Sequence, residues 1–373
     1  MTDALSTLIN RFDPTLPLSR ASTPPSGWYT DPAIHALERA AVFHKAWHPV
    51  AHIAQLPPPG GFLGGCRMDM PWLIVRDTDG ALRAFHNTCR HKGAVLVEGA
   101  GVAESLVCPF HAWEYRLDGR LKKAPQLGAI ADFDRAQMSL PSMGLAQWGP
   151  LVLVHADPDA APPDALFPEL SAALSSGGWS DLIHFGQGRY QLDCNWKVFI
   201  DNYLDGGYHI DHMHPSLSEQ LDMSSYRTEV FAESSIQRSA PSTGSDQVDF
   251  SVAARMGGGP VYGWLHPHFA INRYGPGMDT NLVIPLGVDR CEVVFDFYFF
   301  PDTDPGLVAA SMAQSDVTQQ EDITICASVQ KGLQSPSYDR GRYAPRWEAG
   351  ALHFHRLLHS AYTAALNKGH GSC

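Results

Sequence analysis

The segment DNYLDGGYHIDHMHP, residues 201–215, holds three histidines and three aspartates within fifteen positions. Imidazole nitrogens and carboxylate oxygens are the usual ligands of non-haem iron and of several other transition metals. A solvated polar turn also uses aspartates, but it seldom contains this many histidines. The segment is therefore a candidate metal site with six possible ligands.

Helical spacing favours one pair among these three histidines. His209 and His212 are three residues apart and would share a face of an ideal helix. His209 and His214 lie about 140° apart around such a helix, so they meet only where the chain departs from it. Gly206-Gly207 before them and Pro215 after them make a departure easier. From spacing alone both pairs stay open, and His209 with His212 is the simpler choice.

A second group of possible ligands lies earlier in the chain. Cys89 and His91 form a C-x-H pair, and Cys108 and His111 form a C-x2-H pair after an interval of sixteen residues. Two thiolates can bind one iron and two imidazoles the other iron of a [2Fe–2S] cluster. The same four side chains can hold a structural zinc ion. Strand-like sequence before each pair places both pairs at loop tips, where two turns can clamp a metal group.

These motifs resemble the Rieske non-haem iron oxygenases, the ring-hydroxylating oxygenase alpha-subunit family, and within it the choline/carnitine/betaine monooxygenase-like branch. The resemblance is carried by CRHKGA, CPFHAWEY, DNYLD-x-x-YH, Y-H-x4-H-P and QxEDxxIC with VQxGL, and it extends over nearly the whole chain. It implies that Cys89, His91, Cys108 and His111 bind a Rieske [2Fe–2S] cluster. The family usually has glycine where this chain has Ala112.

The resemblance also implies a mononuclear Fe(II) site that reacts with O2. It selects His209 and His214 as ligands, rather than the pair that helical spacing favours. It implies that the third ligand is Asp322, with Glu321 as the alternative, both within a stretch of helical period. His212 is left to line the pocket or to support a ligand.

An acidic residue before the first histidine links the two metal centres in the family. It hydrogen-bonds to that histidine and to a cluster histidine of the neighbouring subunit. The acid commonly lies three residues before the histidine, whereas here Asp205 lies four residues before His209. One helical turn accommodates either spacing. The resemblance therefore assigns this role to Asp205, with Asp201 as the next candidate. Otherwise Asp201 and Asp211 are expected to be polar surface residues or to support a ligand from behind.

The elements that must position these residues follow from hydrophobic period and turn signals. Asp31 and Pro32 mark the start of an amphipathic helix near the N-terminus. Short strands separated by glycine and proline turns then follow, and Asp118-Gly119 predicts a hairpin. The remaining segments are a proline-rich linker at 156–170, a helix around 196–205, further strands, and helices around 306–333 and 345–367.

This order predicts an α+β fold. A small all-β Rieske [2Fe–2S] domain, residues 45–155, is inserted in a larger catalytic domain. The resemblance implies that the larger domain is a helix-grip-like α+β structure built on an antiparallel sheet. Its N-terminal part is residues 1–44, and residues 156–373 hold the mononuclear iron.

Composition argues against several classes of partner. The 373-residue chain is 44% hydrophobic and 18% charged, with a formal net charge of −12. That sign argues against nucleic acid or an anionic membrane surface, and no apolar stretch approaches the length of a membrane span. The N-terminus lacks a basic start followed by an apolar run, so we expect no signal peptide. Seven scattered cysteines without disulfide-type spacing indicate a cytoplasmic protein.

Together, these features predict the terminal oxygenase component of a multicomponent enzyme. Electrons from NAD(P)H would arrive through a separate reductase or ferredoxin, because GAGVAE at 99–104 is not followed by a helix and is no dinucleotide fingerprint. The resemblance implies a homotrimer and a small-molecule substrate, a quaternary or methylated amine that is hydroxylated or N-demethylated. The alternatives are an aromatic-ring hydroxylating oxygenase, a Rieske electron carrier without oxygenase activity, and a binding protein that contains a structural zinc ion.

Aromatic side chains are the candidates for binding such an amine. The face of an aromatic ring attracts a cation within about 6 Å, and five rings lie near the candidate site or in strands predicted to line it. Taken singly, each of them is expected to serve ordinary core packing. The predicted cage residues are Tyr203, Tyr208, Trp264, Phe269 and Tyr274.

Overall fold

The computed structural model contains two compact units. One unit is residues 44–163, and the other is residues 1–43 together with 164–373. No helix in the described residues is long and apolar enough to cross a membrane. The domain boundaries predicted at residues 45 and 155 stay a prediction. The residues that the structure describes are 2–175, 178–219, 221–241, 260–274 and 277–370.

The unit of residues 44–163 is built from short antiparallel strands. They are β1 (His48–His52), β2 (Gly61–Arg67), β3 (Met70–Arg76), β4 (Leu82–His86), β5 (Gly99–Val102), β6 (Leu106–Val107), β7 (Glu114–Tyr115), β8 (Leu121–Lys123), β9 (Ser142–Trp148) and β10 (Leu151–His155). The larger sheet has the order β1-β10-β9-β4-β3-β2-β5, and the smaller has the order β6-β7-β8. A 3-10 turn, Ile53–Gln55, follows β1.

The second unit combines one antiparallel sheet with helices. Its helices are α1 (Thr2–Ile9), α2 (Gly27–Thr30), α3 (Pro32–Ala41), α4 (Pro163–Leu166), α5 (Pro168–Ser175), α6 (Trp196–Tyr203), α7 (Ile210–Met213), α8 (Pro215–Ser218), α9 (Pro305–Leu333) and α10 (Ala349–His370). Its strands are β11 (Ile183–Leu192), β12 (Leu221–Val230), β13 (Ser234–Pro241), β14 (Val261–Leu265), β15 (Phe269–Tyr274), β16 (Gly277–Gly287) and β17 (Arg290–Phe299). The strand order is β11-β17-β16-β15-β14-β13-β12.

Helix α6 packs against both this sheet and the longest described helix. It contacts β16 and β17 on one side and α9 on another. Its apolar residues recur at helical spacing, and Trp196, Phe199 and Ile200 are buried. The end of α6 is therefore fixed between the sheet and α9, and both the sheet and α9 contribute residues to the site described below.

The predicted α+β class is confirmed, with an all-β unit and a second unit built on an antiparallel sheet. The Asp31 side chain caps α3 by accepting a hydrogen bond from the Ala33 N–H (2.8 Å), with Pro32 at the first helical position. The predicted linker at 156–170 is not wholly irregular, because it contains α4 and the start of α5. Proline begins both of these helices, since its fixed φ suits a first helical position.

Candidate active site

The turn after α6 positions the candidate iron ligands. The Asn195 side chain caps the start of the helix, and the helix ends at Tyr203. Gly206 and Gly207 follow with φ angles of +73° and +81°, a left-handed conformation that glycine adopts without strain. A Cβ atom on Gly206 would also overlap the carbonyl oxygen of Trp347. The chain therefore leaves the helix at these glycines, as the convergence of His209 and His214 requires.

Asp205 organises this turn with both carboxylate oxygens. Oδ1 accepts hydrogen bonds from the backbone N–H groups of Gly207 (2.9 Å) and Tyr208 (3.2 Å). Oδ2 accepts one from the His209 backbone N–H (3.1 Å) and lies 2.5 Å from Nδ1 of the same residue. The ring contact places the proton of His209 on Nδ1, so Nε2 keeps a lone pair for a metal.

His214 is supported by a carboxylate in the same way. Its Nδ1 donates to Oε2 of Glu321 (2.6 Å), and its Nε2 lies 3.2 Å from Oδ1 of Asp322. The Asn202 side chain donates to that same Asp322 oxygen (2.8 Å). Glu321, the alternative ligand predicted from sequence, thus contacts Nδ1 of His214. Asp322 contacts Nε2, the ring nitrogen that is left to bind a metal.

His209, His214 and Asp322 converge on one point. One ligand atom from each of the three residues lies within 4.8 Å of the others. The 3.2 Å between His214 Nε2 and Asp322 Oδ1 is close to the roughly 3 Å between two ligands held at right angles about 2.1 Å from one metal. Two imidazoles and one carboxylate on one side of a cavity fit the ligand set of a non-haem Fe(II), which leaves other coordination positions open.

The electrostatics at His214 also favour a cation. The ring is 2% exposed, and burial alone would lower its pKa. The hydrogen bonds to Asp322 and Glu321 outweigh that effect, so the pKa of His214 is raised above its usual value. Because the two carboxylates stabilise positive charge at this point, a bound metal can take the place of the ring proton.

The other members of the 201–215 segment lie away from this point. His212 is exposed and does not line the adjacent cavity, so the expected pocket-lining role is wrong. Asp211 accepts a hydrogen bond from Ser218. Asp201 accepts one from the Tyr29 hydroxyl (2.6 Å) and lies 2.9 Å from Nε2 of His355.

The candidate cluster ligands come from two loops of the 44–163 unit. Each loop is closed by backbone hydrogen bonds, from Gly93 N–H to the Cys89 carbonyl (3.0 Å) in the first and from Ala112 N–H to the Cys108 carbonyl (3.1 Å) in the second. Both cysteines are 3% exposed and belong to one apolar cluster. Both are free thiols, and the Tyr115 hydroxyl lies 3.3 Å from the Cys89 sulfur.

The candidate cluster histidines lie closer to the surface than the cysteines. The rings of His91 and His111 are 4.6 Å apart, and His91 stacks on Trp113 at 4.9 Å and 5°. His91 Nδ1 is buried without a hydrogen-bond partner, and His111 is exposed. Desolvation, followed by the nearby His91, lowers the pKa of His111. Two buried thiols, an unpaired buried imidazole nitrogen and a second imidazole fit a Rieske cluster.

The one departure from the family motif in these loops has a structural consequence. Ala112 adopts a φ angle of +55°. A left-handed conformation costs a residue with a Cβ roughly 1–2 kcal/mol relative to glycine. The backbone turn therefore forms with alanine at this position, but at an energetic cost that the usual glycine avoids.

A cavity of about 170 Å³ adjoins the three convergent residues. His209, His214, Asp205 and Asp322 form part of its wall. This volume is below the roughly 300–1,000 Å³ of pockets for drug-sized ligands, so it suits a small substrate. The aromatic rings that line the cavity are Phe199, Tyr203, Tyr226, Tyr262 and Phe295.

Of the candidate cation–π cage, only Tyr203 lies at the cavity among the side chains that the structure describes, and Trp264 and Phe269 follow the core-packing expectation instead. Tyr203 lines the cavity, but Tyr208 is 59% exposed, and Trp264 and Phe269 are buried in the core. The side chain of Tyr274 lies outside the described residues. The strand residues that do line the cavity were missed because their inward orientation depends on strand register, which alternation alone does not specify.

The sequence matches two family models. Residues 180–364 match the ring hydroxylating alpha subunit (catalytic domain), and residues 46–134 match the Rieske [2Fe-2S] domain. The first match contains the three convergent residues, and the second contains both cysteine and histidine pairs. The two sets of candidate ligands therefore fall in separate matched regions.

Relatives match over almost the full chain. It is 40% identical over 368 residues to the chloroplastic choline monooxygenase of Arabidopsis thaliana, covering 95% of this chain and 86% of the relative. It is 30% identical over 356 residues to the carnitine monooxygenase oxygenase subunit of Escherichia coli (strain K12), covering 91% and 93%. A quaternary ammonium Rieske monooxygenase solved with L-carnitine superposes with a TM-score of 0.77 at 25% identity, covering 92% and 96%.

Proposed function

This chain belongs to the Rieske non-haem iron oxygenases of the ring-hydroxylating alpha-subunit family, and on that premise we propose that it hydroxylates a quaternary ammonium compound. The observation that carries the proposal is the small cavity beside His209, His214 and Asp322, which is lined by aromatic rings. Ring faces attract an ammonium group that has lost its water. Relatives named for choline and carnitine support the same class of substrate.

The proposed iron ligands are His209, His214 and Asp322, and the proposed cluster ligands are Cys89, His91, Cys108 and His111. When bound, the cluster supplies electrons and the mononuclear iron supplies the oxygen-activating chemistry. The protein's own part is to hold the imidazoles in one tautomer. Asp205 and Glu321 do so by accepting hydrogen bonds from the Nδ1–H groups of His209 and His214.

The cavity walls hold the substrate and exclude water from it. Phe199, Tyr203, Tyr226, Tyr262 and Phe295 present apolar surface and ring faces. Burial, followed by neighbouring charges, raises the pKa of Tyr203, Tyr226 and Tyr262 above the usual value. The phenols therefore stay neutral and do not add negative charge to the wall at physiological pH.

Electron delivery is proposed to pass between subunits of a homotrimer. Asp205 would accept a hydrogen bond from His111 of the neighbouring subunit while it holds His209. The exposure of His111 and of Phe110 beside it supports contact with another chain. A separate NAD(P)H-dependent reductase or ferredoxin is the proposed electron source. The free thiols of the described cysteines suit a reducing compartment such as the cytoplasm.

The test is O2 consumption by the reconstituted protein with a surrogate reductase. We expect choline, carnitine or betaines to accelerate consumption and to yield an equivalent amount of hydroxylated or N-demethylated product. His209→Ala should abolish that consumption, whereas the matched change His212→Ala should retain it, because His212 is exposed outside the cavity. Acceleration by aromatic acids alone would instead indicate an aromatic-ring hydroxylating oxygenase.

A further inference from the structure

Three thiols that the proposed function does not use meet in the core of the unit that holds the proposed iron ligands. Cys194, Cys291 and Cys326 are each at most 1% exposed, and all three are free. The sulfur atoms of Cys194 and Cys291 lie 3.9 Å apart, and the thiol of Cys326 also hydrogen-bonds to the Cys194 sulfur. Cys194 is therefore the central sulfur of a buried thiol triad.

Three different elements bring the thiol triad together. Cys194 lies in the turn between β11 and α6, Cys291 lies in β17, and Cys326 lies in α9. The turn is held against α9 by a hydrogen bond from the backbone N–H of Asn195 to Oε1 of Gln330 (2.9 Å), one helical turn after Cys326. The contact between the sulfur atoms is therefore supported by the packing of the start of α6 on α9.

Negative charge in the thiol triad is favoured at Cys194. The S–H groups of Cys291 and Cys326 both donate to its sulfur, which lowers the pKa of Cys194 and raises the pKa of both donors. Cys194 also directly precedes Asn195, the N-cap of α6, and the N–H groups at a helix N-terminus favour an anion. Because the thiolate is the nucleophilic form of cysteine, Cys194 is the sulfur best placed to attack an oxidant.

A second cavity, of about 170 Å³, leads from the surface to the thiol triad. Cys326 forms part of its wall, and so do Val329 and Tyr338, which are 43% and 40% exposed. One water molecule needs only roughly 10–15 Å³ of such space. Hydrogen peroxide, which is little larger than water, can therefore reach the contact between Cys326 and Cys194 while the protein stays folded.

We propose that Cys194 and Cys326 form a peroxide-reactive dithiol site, which closes to a disulfide and reopens on reduction. The Cys194 thiolate attacks hydrogen peroxide, so that an S–O bond forms, the O–O bond breaks, and the leaving hydroxide takes the proton of Cys326. The Cys326 thiolate then attacks the Cys194 sulfenic acid, forming the S–S bond and releasing hydroxide. The two sulfurs lose two electrons and the peroxide gains them, and exchange with an external dithiol restores both thiols.

The disulfide acts on the proposed iron site through α9. Bonded sulfur atoms are about 2.05 Å apart, so the turn before α6 and Cys326 must move toward each other. Asp322 lies one helical turn before Cys326, and its Oδ1 accepts a hydrogen bond from the Asn202 side chain of α6 (2.8 Å). Closing the disulfide shifts the same two helices that position Asp322, and the oxidised protein therefore holds iron less tightly.

Thiol mapping tests the proposal. The holoprotein is treated with one molar equivalent of hydrogen peroxide, the remaining thiols are blocked with iodoacetamide in denaturant, and linked peptides are identified by mass spectrometry. We expect a disulfide between Cys194 and Cys326 that dithiothreitol reverses. The same disulfide should form in His209→Ala, which lacks a proposed iron ligand, because the reaction needs only the thiols and peroxide. The wild-type measurement stands even where a substitution fails to fold.

Substitutions within the thiol triad separate the roles of its members. Cys194→Ser should leave Cys326 reduced under the same treatment, whereas Cys291→Ser should retain the disulfide. In the double variant Cys291→Ser/Cys326→Ser no second thiol remains, so dimedone, a reagent for sulfenic acids, should label Cys194. Cys66→Ser is the matched control, because this exposed thiol lies in the other unit and its loss should change nothing.

Iron retention provides a second readout. Peroxide-treated protein should release iron to a chelator about tenfold more readily than untreated protein, and treated Cys194→Ser should not show this increase. Failure of all three thiols to react overturns the site, and a link from Cys194 to Cys291 in place of Cys326 overturns the assigned pair. A disulfide with unchanged iron retention overturns its action through α9. None of these outcomes bears on the proposed function, which the O2-consumption test decides separately.

Discussion

Asp205 and Asp201 are the two acids that compete for the role of linking the metal centres. Asp205 makes four contacts around the His209 turn. Asp201 instead contacts the Tyr29 hydroxyl and the His355 ring. Asn in place of Asp205 can still accept the backbone hydrogen bonds but carries no charge. We expect Asp205→Asn to retain a reducible cluster and bound iron, with turnover reduced by at least about 100-fold, as checked by visible spectroscopy, iron content and O2 consumption.

The control for this change is Asp211→Asn. Asp211 is exposed in the same segment and contacts Ser218, so its variant should turn over at the wild-type rate. Undiminished turnover in Asp205→Asn would mean that another acid makes the link, and Asp201→Asn would then be the variant to examine. Loss of iron from Asp205→Asn would mean that the carboxylate acts mainly by holding His209.

Glu321 is expected to act through His214 and not as a ligand. Its carboxylate lies 2.6 Å from Nδ1 of that ring. There it keeps the proton on Nδ1 and makes Nε2 a stronger ligand for a metal. Partners of this kind are typically worth a factor of about 10–100 in metal affinity. We therefore expect Glu321→Gln to lose iron about 10–100-fold more readily to a chelator, with the cluster spectrum unchanged.

The matched control is Glu219→Gln, an exposed acid of the same unit, which should hold iron like the wild-type protein. Complete absence of iron from freshly purified Glu321→Gln, at any supplied concentration, would instead favour Glu321 as a direct ligand. Asp322→Asn provides the comparison, since the proposed ligand should show that complete loss.

Sequence reasoning named the proposed metal ligands but little of the rest of the cavity. Histidine, cysteine and aspartate are recognisable as metal ligands from their side chains, and here they lie at motif spacing. The residues that converge in the structure could therefore be named from the sequence. Spacing alone favoured His212 over His214, and only the family pattern chose otherwise. Tyr226 and Tyr262 were missed, because their role depends on strand register across β12 to β14, which a single sequence does not fix.

At the scale of secondary structure, the glycine turn after α6 decides whether the histidines converge. Gly206 has a φ angle of +73° and no room for a Cβ against Trp347. An alanine there costs roughly 1–2 kcal/mol for the conformation and more for the overlap. We expect Gly206→Ala to lower Tm by at least about 5 °C and to reduce iron content while the cluster spectrum persists.

Gly287→Ala is the control, because a Cβ at that position meets nothing within 4 Å and its φ is not in the left-handed region. Its Tm and iron content should match the wild-type protein. An unchanged Tm and iron content in Gly206→Ala would mean that the turn tolerates another backbone path to the same ligand geometry.

The long elements were predictable, and the short ones were not. The apolar periods of α6, α9 and α10 and of strands β15 to β17 are strong enough to place them within a few residues. The short helices α7 and α8 depend on Gly206, Gly207 and Pro215 together, and only the tertiary contact at Trp347 shows why the chain turns there. The strained turn at Ala112 was visible only as a departure from a family motif.

At the scale of the whole molecule, the two candidate metal centres belong to different units. The proposed cluster ligands lie in residues 44–163, and the proposed iron ligands lie in residues 164–373. The chemistry at one centre needs electrons that enter at the other. Transfer within one chain and transfer between neighbouring chains predict different behaviour when two defective variants are mixed.

Mixed oligomers distinguish these two routes. His111→Ala should remove the cluster and His209→Ala the iron, and each variant alone should be inactive. In a head-to-tail ring assembled at random from both, half of the subunits keep the cluster that donates electrons and half keep the iron that receives them. About a quarter of neighbouring pairs therefore combine an intact cluster with an intact iron site. We expect co-expression of the two variants to restore about a quarter of wild-type turnover. Co-expressed His91→Ala and His111→Ala should restore none, since both lack a cluster. No recovery in the first mixture, from a protein that sediments as a trimer, would place the transfer within one chain, and a monomer would contradict the ring itself.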